Sequence, residues 1–366
     1  MASVSTATPR KTQAGYPAHS RRFDTIMGLL TLLLTIGLFI DGWAHNQGMV
    51  DESFFTPYHA VMYSSYGLFG MTLVSLHFYN VNRGYTFRRA LPKGYFLSLI
   101  GIFIFAVGGF LDMLWHEAFG IEEGIEALYS PSHMLLFIGY TTVILGVIYS
   151  AWVRRETMHG WRDLWWVMLA SACLLSILTF ATQFMGFVNN ADGMIGFPRD
   201  RDLLTTAVIA SYVIATSIMI GLVLMLMRRW RLPFGTVTAM FALNSTLMGL
   251  MYALDPALEV TASVGIIALI VIPATFGGIV ADILIWRLKV TPRTPNAVRV
   301  ITTVTPFVIG GAYVAATHVL GLIDGGGGLW WEIHTWLGVP TLCAVAGLLL
   351  SVMVFPPAIP DAAVNE

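Results

Sequence analysis

Two stretches of the chain place an aspartate and two histidines at matching intervals. Asp41 and His45 stand four residues apart, as do Asp112 and His116. Each pair is followed by a short acidic stretch and then by Thr56-Pro57-Tyr58-His59 or Ser130-Pro131-Ser132-His133. A tyrosine comes seven residues after each second histidine, at Tyr66 and Tyr140. Thirteen residues separate the histidines of the first copy and sixteen those of the second, so a three-residue loop insertion accounts for the difference. Two imidazoles and one carboxylate, with coordination positions left open, are the donor set of Fe(II), Cu(II) or Zn(II) sites. Asp41, His45, His59, Asp112, His116 and His133 are therefore the expected metal ligands. Glu52, Glu117, Glu122, Glu123, Tyr66 and Tyr140 could add ligands or hydrogen-bonding support. The spacing leaves open whether two separate sites or one shared site forms.

Helices must carry these residues. Positions four apart lie on one helical face, so each Asp sits one turn, about 5.4 Å, beneath its His. Pro at the first helical position after a Ser or Thr cap starts the next helix, and that start brings one more His to the same level. A carboxylate at this depth of a bilayer costs roughly 2.5–3.5 kcal/mol, so it requires a partner. A protonated imidazole or a metal would serve. A metal-free Asp–His network that pins helices is the competing reading. Haem ligation fits poorly beside the carboxylates.

The composition calls for a membrane. Of 366 residues, 56% are hydrophobic and 11% charged, and mean hydropathy is +0.72. A soluble domain carries about 25% charged residues. Ten apolar stretches are predicted to span, at 24–45, 57–79, 92–116, 131–153, 163–187, 203–227, 234–254, 262–286, 299–320 and 335–356. Eighteen of the twenty Lys and Arg fall in the amino-terminal tail or in alternate loops, and only Arg199 and Arg201 fall elsewhere. Cytoplasmic loops collect such residues. The expected fold class is thus all-α: a polytopic membrane helix bundle of about ten transmembrane helices, with both termini cytoplasmic and a repeated metal-binding helical hairpin. Residues 1–22 read as a disordered cytoplasmic tail, 23–153 as the two repeated hairpins, 154–356 as six further spans and 357–366 as a second tail. The first span reads as uncleaved, which places the protein in the inner (plasma) membrane.

Six of the nine histidines fall at outer helix ends on this drawing, including His318 and His334, which flank the last outer loop as an accessory pair. Cys173 and Cys343 sit in apolar runs without a CxxC pairing, which argues against a thiolate site. No Walker or dinucleotide motif and no basic arm occurs, so neither nucleotide nor nucleic acid is an expected partner. The inner halves of the first and third spans carry no ionisable residue past the membrane edge, which disfavours ion passage and favours a one-sided site.

At the level of the triad, Asp41, His45 and His59 resemble the metal-bearing helical subunit of the copper membrane monooxygenases, which hydroxylate methane, ammonia or short hydrocarbons. Asp112, His116 and His133 match that arrangement more loosely. The resemblance covers about twenty residues per copy. It implies copper and oxidoreductase chemistry, with other membrane subunits as partners, but transfers no substrate. The donor set alone leaves iron or zinc as alternatives, and the open coordination positions and apolar surroundings would admit a small apolar substrate from the bilayer. The longer wording, D-G-W-A-H…F-F-T-P-x-H, resembles uncharacterised bacterial multi-pass membrane proteins and implies no activity. Non-catalytic copper or zinc binding, sensing or delivery is the alternative, and metal transport a second.

Overall fold

The computed structural model describes residues 13–49, 56–120, 126–154, 157–187, 201–254, 260–291, 293–323 and 328–357. These form ten long helices and one single turn: α1 (Arg21–Asn46), α2 (Pro57–Asn82), α3 (Tyr95–Phe119), α4 (Glu126–Tyr129, the single turn), α5 (Pro131–Trp152), α6 (Gly160–Ala181), α7 (Arg201–Arg229), α8 (Thr236–Ala253), α9 (Val260–Arg287), α10 (Pro295–Ile323) and α11 (Ile333–Val354). Eight of the ten long helices are apolar and long enough to cross a membrane. Each of the ten stretches expected to span coincides with one of these long helices, and α2 and α8 are the two that fall below that criterion. α2 falls short because Ser64, Ser65, His77, Asn80 and Asn82 dilute it, and α8 because it has 18 residues with Asn244-Ser245 at its centre. A membrane also accounts for the outward faces. Phe103, Phe110 and Leu114 on α3, and Val345, Leu349 and Met353 on α11, are large apolar side chains exposed along one face of their helices.

The chain divides into two compact units, and the division falls inside α1, between Leu38 and Phe39. The first unit comprises residues up to Leu38 and Asp51–Thr157, and so holds most of α1 together with α2–α5. Its centre is the α3–α5 pair, which touch along a seam of small residues. A Cβ added to Gly101 would lie 2.5 Å from the Val143 nitrogen, and one on Gly139 2.7 Å from the Phe105 nitrogen. Gly146 meets Ser98 as closely. Lipid offers apolar side chains no hydrophobic incentive to leave it, so close backbone packing of this kind must hold the helices together. α1 meets α2 in the same way, with Gly37 against Ser65 and Met62.

One end of this unit is pinned by charge. Asp24, in the first turn of α1, is fully buried, 2.6 Å from the Arg154 guanidinium beyond the end of α5, and accepts a 2.8 Å hydrogen bond from the Tyr95 hydroxyl at the start of α3. Three helices are thereby fixed at one level. Asp112 lies seventeen residues along α3 from Tyr95, about 26 Å at 1.5 Å per residue. The ion pair and the aspartate–histidine cluster occupy opposite ends of the unit.

The second unit comprises Phe39–Val50 and residues from Met158 onward. α6 is its most buried helix, packed from Leu164 to Phe180. Glycines again set the spacing: Gly278 on α9 abuts the Thr238 backbone of α8, and Gly347 on α11 abuts the Thr302 carbonyl of α10. Asp282 is buried yet satisfied, because its carboxylate accepts from the Val237 and Thr238 backbone N–H groups and the Thr238 hydroxyl at the start of α8. A helix amino terminus is a natural carboxylate site.

Candidate metal centre

The site is built on the upper end of the α3–α5 pair. α3 ends at Gly120, whose φ of +85° suits a residue without Cβ, so Asp112 and His116 occupy its last two turns. α5 begins at Pro131 after the cap Ser130. The Ser130 hydroxyl accepts from the His133 backbone N–H at 3.4 Å and lies 2.6 Å from the ring Nδ1 of the same residue. One cap residue thus fixes both the start of the helix and the position of its histidine. The seam below brings the two ends together: a Cβ on Gly108, four residues before Asp112, would lie 3.0 Å from the Leu136 nitrogen.

Asp112 presents its two oxygens to different imidazoles. Oδ2 lies 3.6 Å from His116 Nε2, and Oδ1 lies 3.5 Å from His133 Nδ1. The two rings are 5.8 Å apart between centroids and inclined at 71°. Each of the three residues offers a ligand atom within 4.8 Å of the other two. Asp112 is 1% and His116 9% exposed, while His133 is half-buried. Separations of 3.5–3.6 Å are long for charge-assisted hydrogen bonds, which run about 2.7–2.9 Å. The Asp112–His116 separation matches two ligands on one ion, since atoms about 2.1 Å from a tetrahedral centre lie about 3.4 Å apart, whereas the His133 Nδ1 that faces Asp112 is the nitrogen engaged by Ser130. His116 Nδ1 sits 3.3 Å from the Gly120 carbonyl. The tautomer that donates Nδ1–H to that carbonyl leaves the Nε2 lone pair facing Asp112, which is the outer support that metal-binding histidines use.

The unit boundary cuts the first copy. In the second unit, Asp41 is buried and its Oδ2 lies 4.0 Å from His45 Nε2. The turn that carries them is tied to that unit by Trp43 Nε1, which donates to the Leu254 carbonyl at 2.9 Å. In the first unit, His59 is buried in the first turn of α2, and its backbone N–H donates to the Thr56 hydroxyl at 3.0 Å. Thr56 thus takes the part in α2 that Ser130 takes in α5.

The accessory residues fare differently. Tyr66 gives its hydroxyl to the Ile102 carbonyl and stacks on Phe105, and Tyr140 is buried against the other edge of Phe105. Tyr140 stands seven residues, about two turns, along α5 from His133. Glu117 is exposed at the end of α3, and Glu52, Glu122 and Glu123 lie outside the described residues. His318 Nδ1 accepts from the Leu329 N–H at 3.0 Å and packs on Trp336, while exposed His334 pairs with Glu332 at 3.4 Å. Among the described residues these two histidines join no group of three donors. His77, outside the cluster, is buried among Phe78, Phe87 and Phe96 with neither ring nitrogen hydrogen-bonded.

Sequence reasoning missed Ser130 as a ring partner, the Gly120 carbonyl and the glycine seam. The serine was visible as a cap, but contact with the ring follows only from the geometry of the first turn. The seam had a visible trace: a glycine stands four residues before each aspartate, at Gly37 and Gly108.

Comparison with protein-family models, curated proteins and solved structures finds no match for this chain.

Proposed function

We propose that this chain is an integral membrane metalloprotein that holds a divalent transition metal on Asp112, His116 and His133. The observation that carries the reading is the convergence of one carboxylate and two imidazoles from two helix ends, at separations suited to sharing an ion. The repeated spacing extends the proposal to Asp41, His45 and His59 as a second donor set. The alternating basic loops support placing both sets at the extracytoplasmic face of a cell membrane. Copper suits two imidazoles and a carboxylate, and iron or zinc would also be accepted.

With copper or iron bound, such a centre supplies one-electron and oxygen chemistry, which supports an oxidoreductase acting on a small apolar substrate. The chain's own contribution is to fix the donors. Ser130 and Gly120 orient the rings. Binding or delivery without catalysis is the second reading, favoured by the burial of Asp112 and His116, which leaves His133 as the accessible edge. Metal transport has less support, because the buried charges at the far end of the first unit, Asp24 and Arg154, neutralise each other.

The test is elemental analysis of protein purified from metal-replete cells, wild type against His116→Ala and His45→Ala. Two sites predict the loss of one equivalent from each variant, and one shared centre predicts complete loss from either. A metal-free wild type overturns the reading.

A further inference from the structure

A cavity of about 40 Å³ lies within the second unit, between α6, α7, α8, α9 and α10. Its walls are mostly apolar and soft: Met185, Met219 and Met248 face Phe187, Ile270 and Ala274. Phe187 stacks on Tyr313 at 3.8 Å, which makes one wall flat and rigid. Methionine walls adapt to the shape they enclose.

Several polar groups on the lining are already committed to backbone carbonyls. Thr182 donates to the Leu178 carbonyl, Ser245 to the Ala242 carbonyl and Tyr313 to the Ile270 carbonyl. Asn244 differs. It is 5% exposed, and among the described residues its only hydrogen-bond partner is Thr179, 2.6 Å from its Oδ1. Thr179 has one hydroxyl hydrogen, and the Leu175 and Ser176 carbonyls compete for it at 3.1 Å each. If that hydrogen goes to Asn244, the amide NH2 is left without a partner. If it goes to a carbonyl, the amide turns to donate to Thr179 and its oxygen is left. In both arrangements one hydrogen-bonding end of Asn244 stays open in an otherwise apolar space, where an unmet polar group is costly.

We infer that this cavity is a binding site for a small neutral molecule carrying one hydroxyl, a short alcohol, held by Asn244 at the polar end and by the methionines along its apolar part. A hydroxyl both donates and accepts, so it satisfies either end of the amide. Size follows from volume: an engineered cavity of about 150 Å³ holds the six carbons of benzene, so about 40 Å³ admits a ligand of about two non-hydrogen atoms, the size of methanol. The site also lies near the first donor set. Tyr252, on the cavity wall, donates to Gln183 Oε1 at 3.4 Å, and the same oxygen accepts from Asn46, the residue after His45, at 3.4 Å. The inference requires no metal.

The probes are methanol, soaked into crystals of the full chain prepared with a chelator and located by difference density, and xenon, applied under pressure to separate crystals and located by anomalous scattering. Both are expected inside the cavity, with the hydroxyl within hydrogen-bond reach of Asn244. Asn244→Leu should keep xenon, which shows the fold and cavity intact, and lower methanol occupancy at least fivefold. Met248→Trp, which leaves Asn244 in place and fills the space, should exclude both. Xenon without methanol in the wild type would identify a merely apolar void. Water alone at Asn244, or equal methanol occupancy in Asn244→Leu, would likewise overturn the inference.

Discussion

Ser130 sets the position of His133 twice, through the backbone N–H and through the ring. Ser130→Ala should therefore cost about 1 kcal/mol as a lost cap and weaken metal binding by roughly 10–100-fold as a lost ligand support. Thermal unfolding reads the first effect and chelator competition the second. An unchanged affinity would reduce Ser130 to a cap. At the other end of the unit, Arg154→Ala strands the buried Asp24 carboxylate and should destabilise by about 3–5 kcal/mol. Arg154→Met combined with Asp24→Leu should recover most of that loss. Recovery absent in the double variant would mean that Tyr95, also hydrogen-bonded to Asp24, carries the pin. At this scale the sequence was readable where spacing alone defines a face, as for Asp112 and His116. It was silent where a contact depends on a helix end, as for the Gly120 carbonyl beside the His116 ring.

The elements were legible because hydropathy and caps mark them. The stretches expected at 57–79 and 131–153 start where α2 and α5 start, since Thr56-Pro57 and Ser130-Pro131 are cap and first-turn signals. The stretch expected at 163–187 runs past α6, because after Ala181 the chain tightens into a short 3₁₀ turn at Gln183–Met185. The seam between α3 and α5 left only the trace of Gly108 before Asp112, because glycine in an apolar run has no periodic hydropathy to show which neighbour it faces. Its consequence is testable. Gly139→Leu would force a side chain into the Phe105 backbone, separate α3 from α5 and draw His133 away from Asp112. Metal at this site should be lost while helical content persists. Gly120→Ala, which meets nothing within 4 Å and is strained only through φ, should cost about 1 kcal/mol and leave the metal bound. Equal metal loss in both variants would show that the seam does not position the site.

At the scale of the whole chain, the expectation is topological. Basic residues cluster in alternate connections, as after α2 and α5. Reporter fusions after Arg89 and after Arg229 should both read as cytoplasmic, and fusions after Gly120 and Gly328 as extracytoplasmic. A cytoplasmic reading after Gly120 would move the donor sets to the inner face and remove the proposed access from outside. The two aspartate–histidine sets would then bind cytoplasmic metal, and an oxygen-dependent role would lose its support. The central claim is chemical, however, and X-ray absorption at the edge of the metal in purified full-length protein tests it most directly. Histidine and carboxylate ligands predict imidazole scattering with nitrogen and oxygen neighbours at about 2.0–2.2 Å, reduced in His116→Ala and His133→Ala. A metal-free protein, or a first shell with sulfur and no imidazole, would contradict the account.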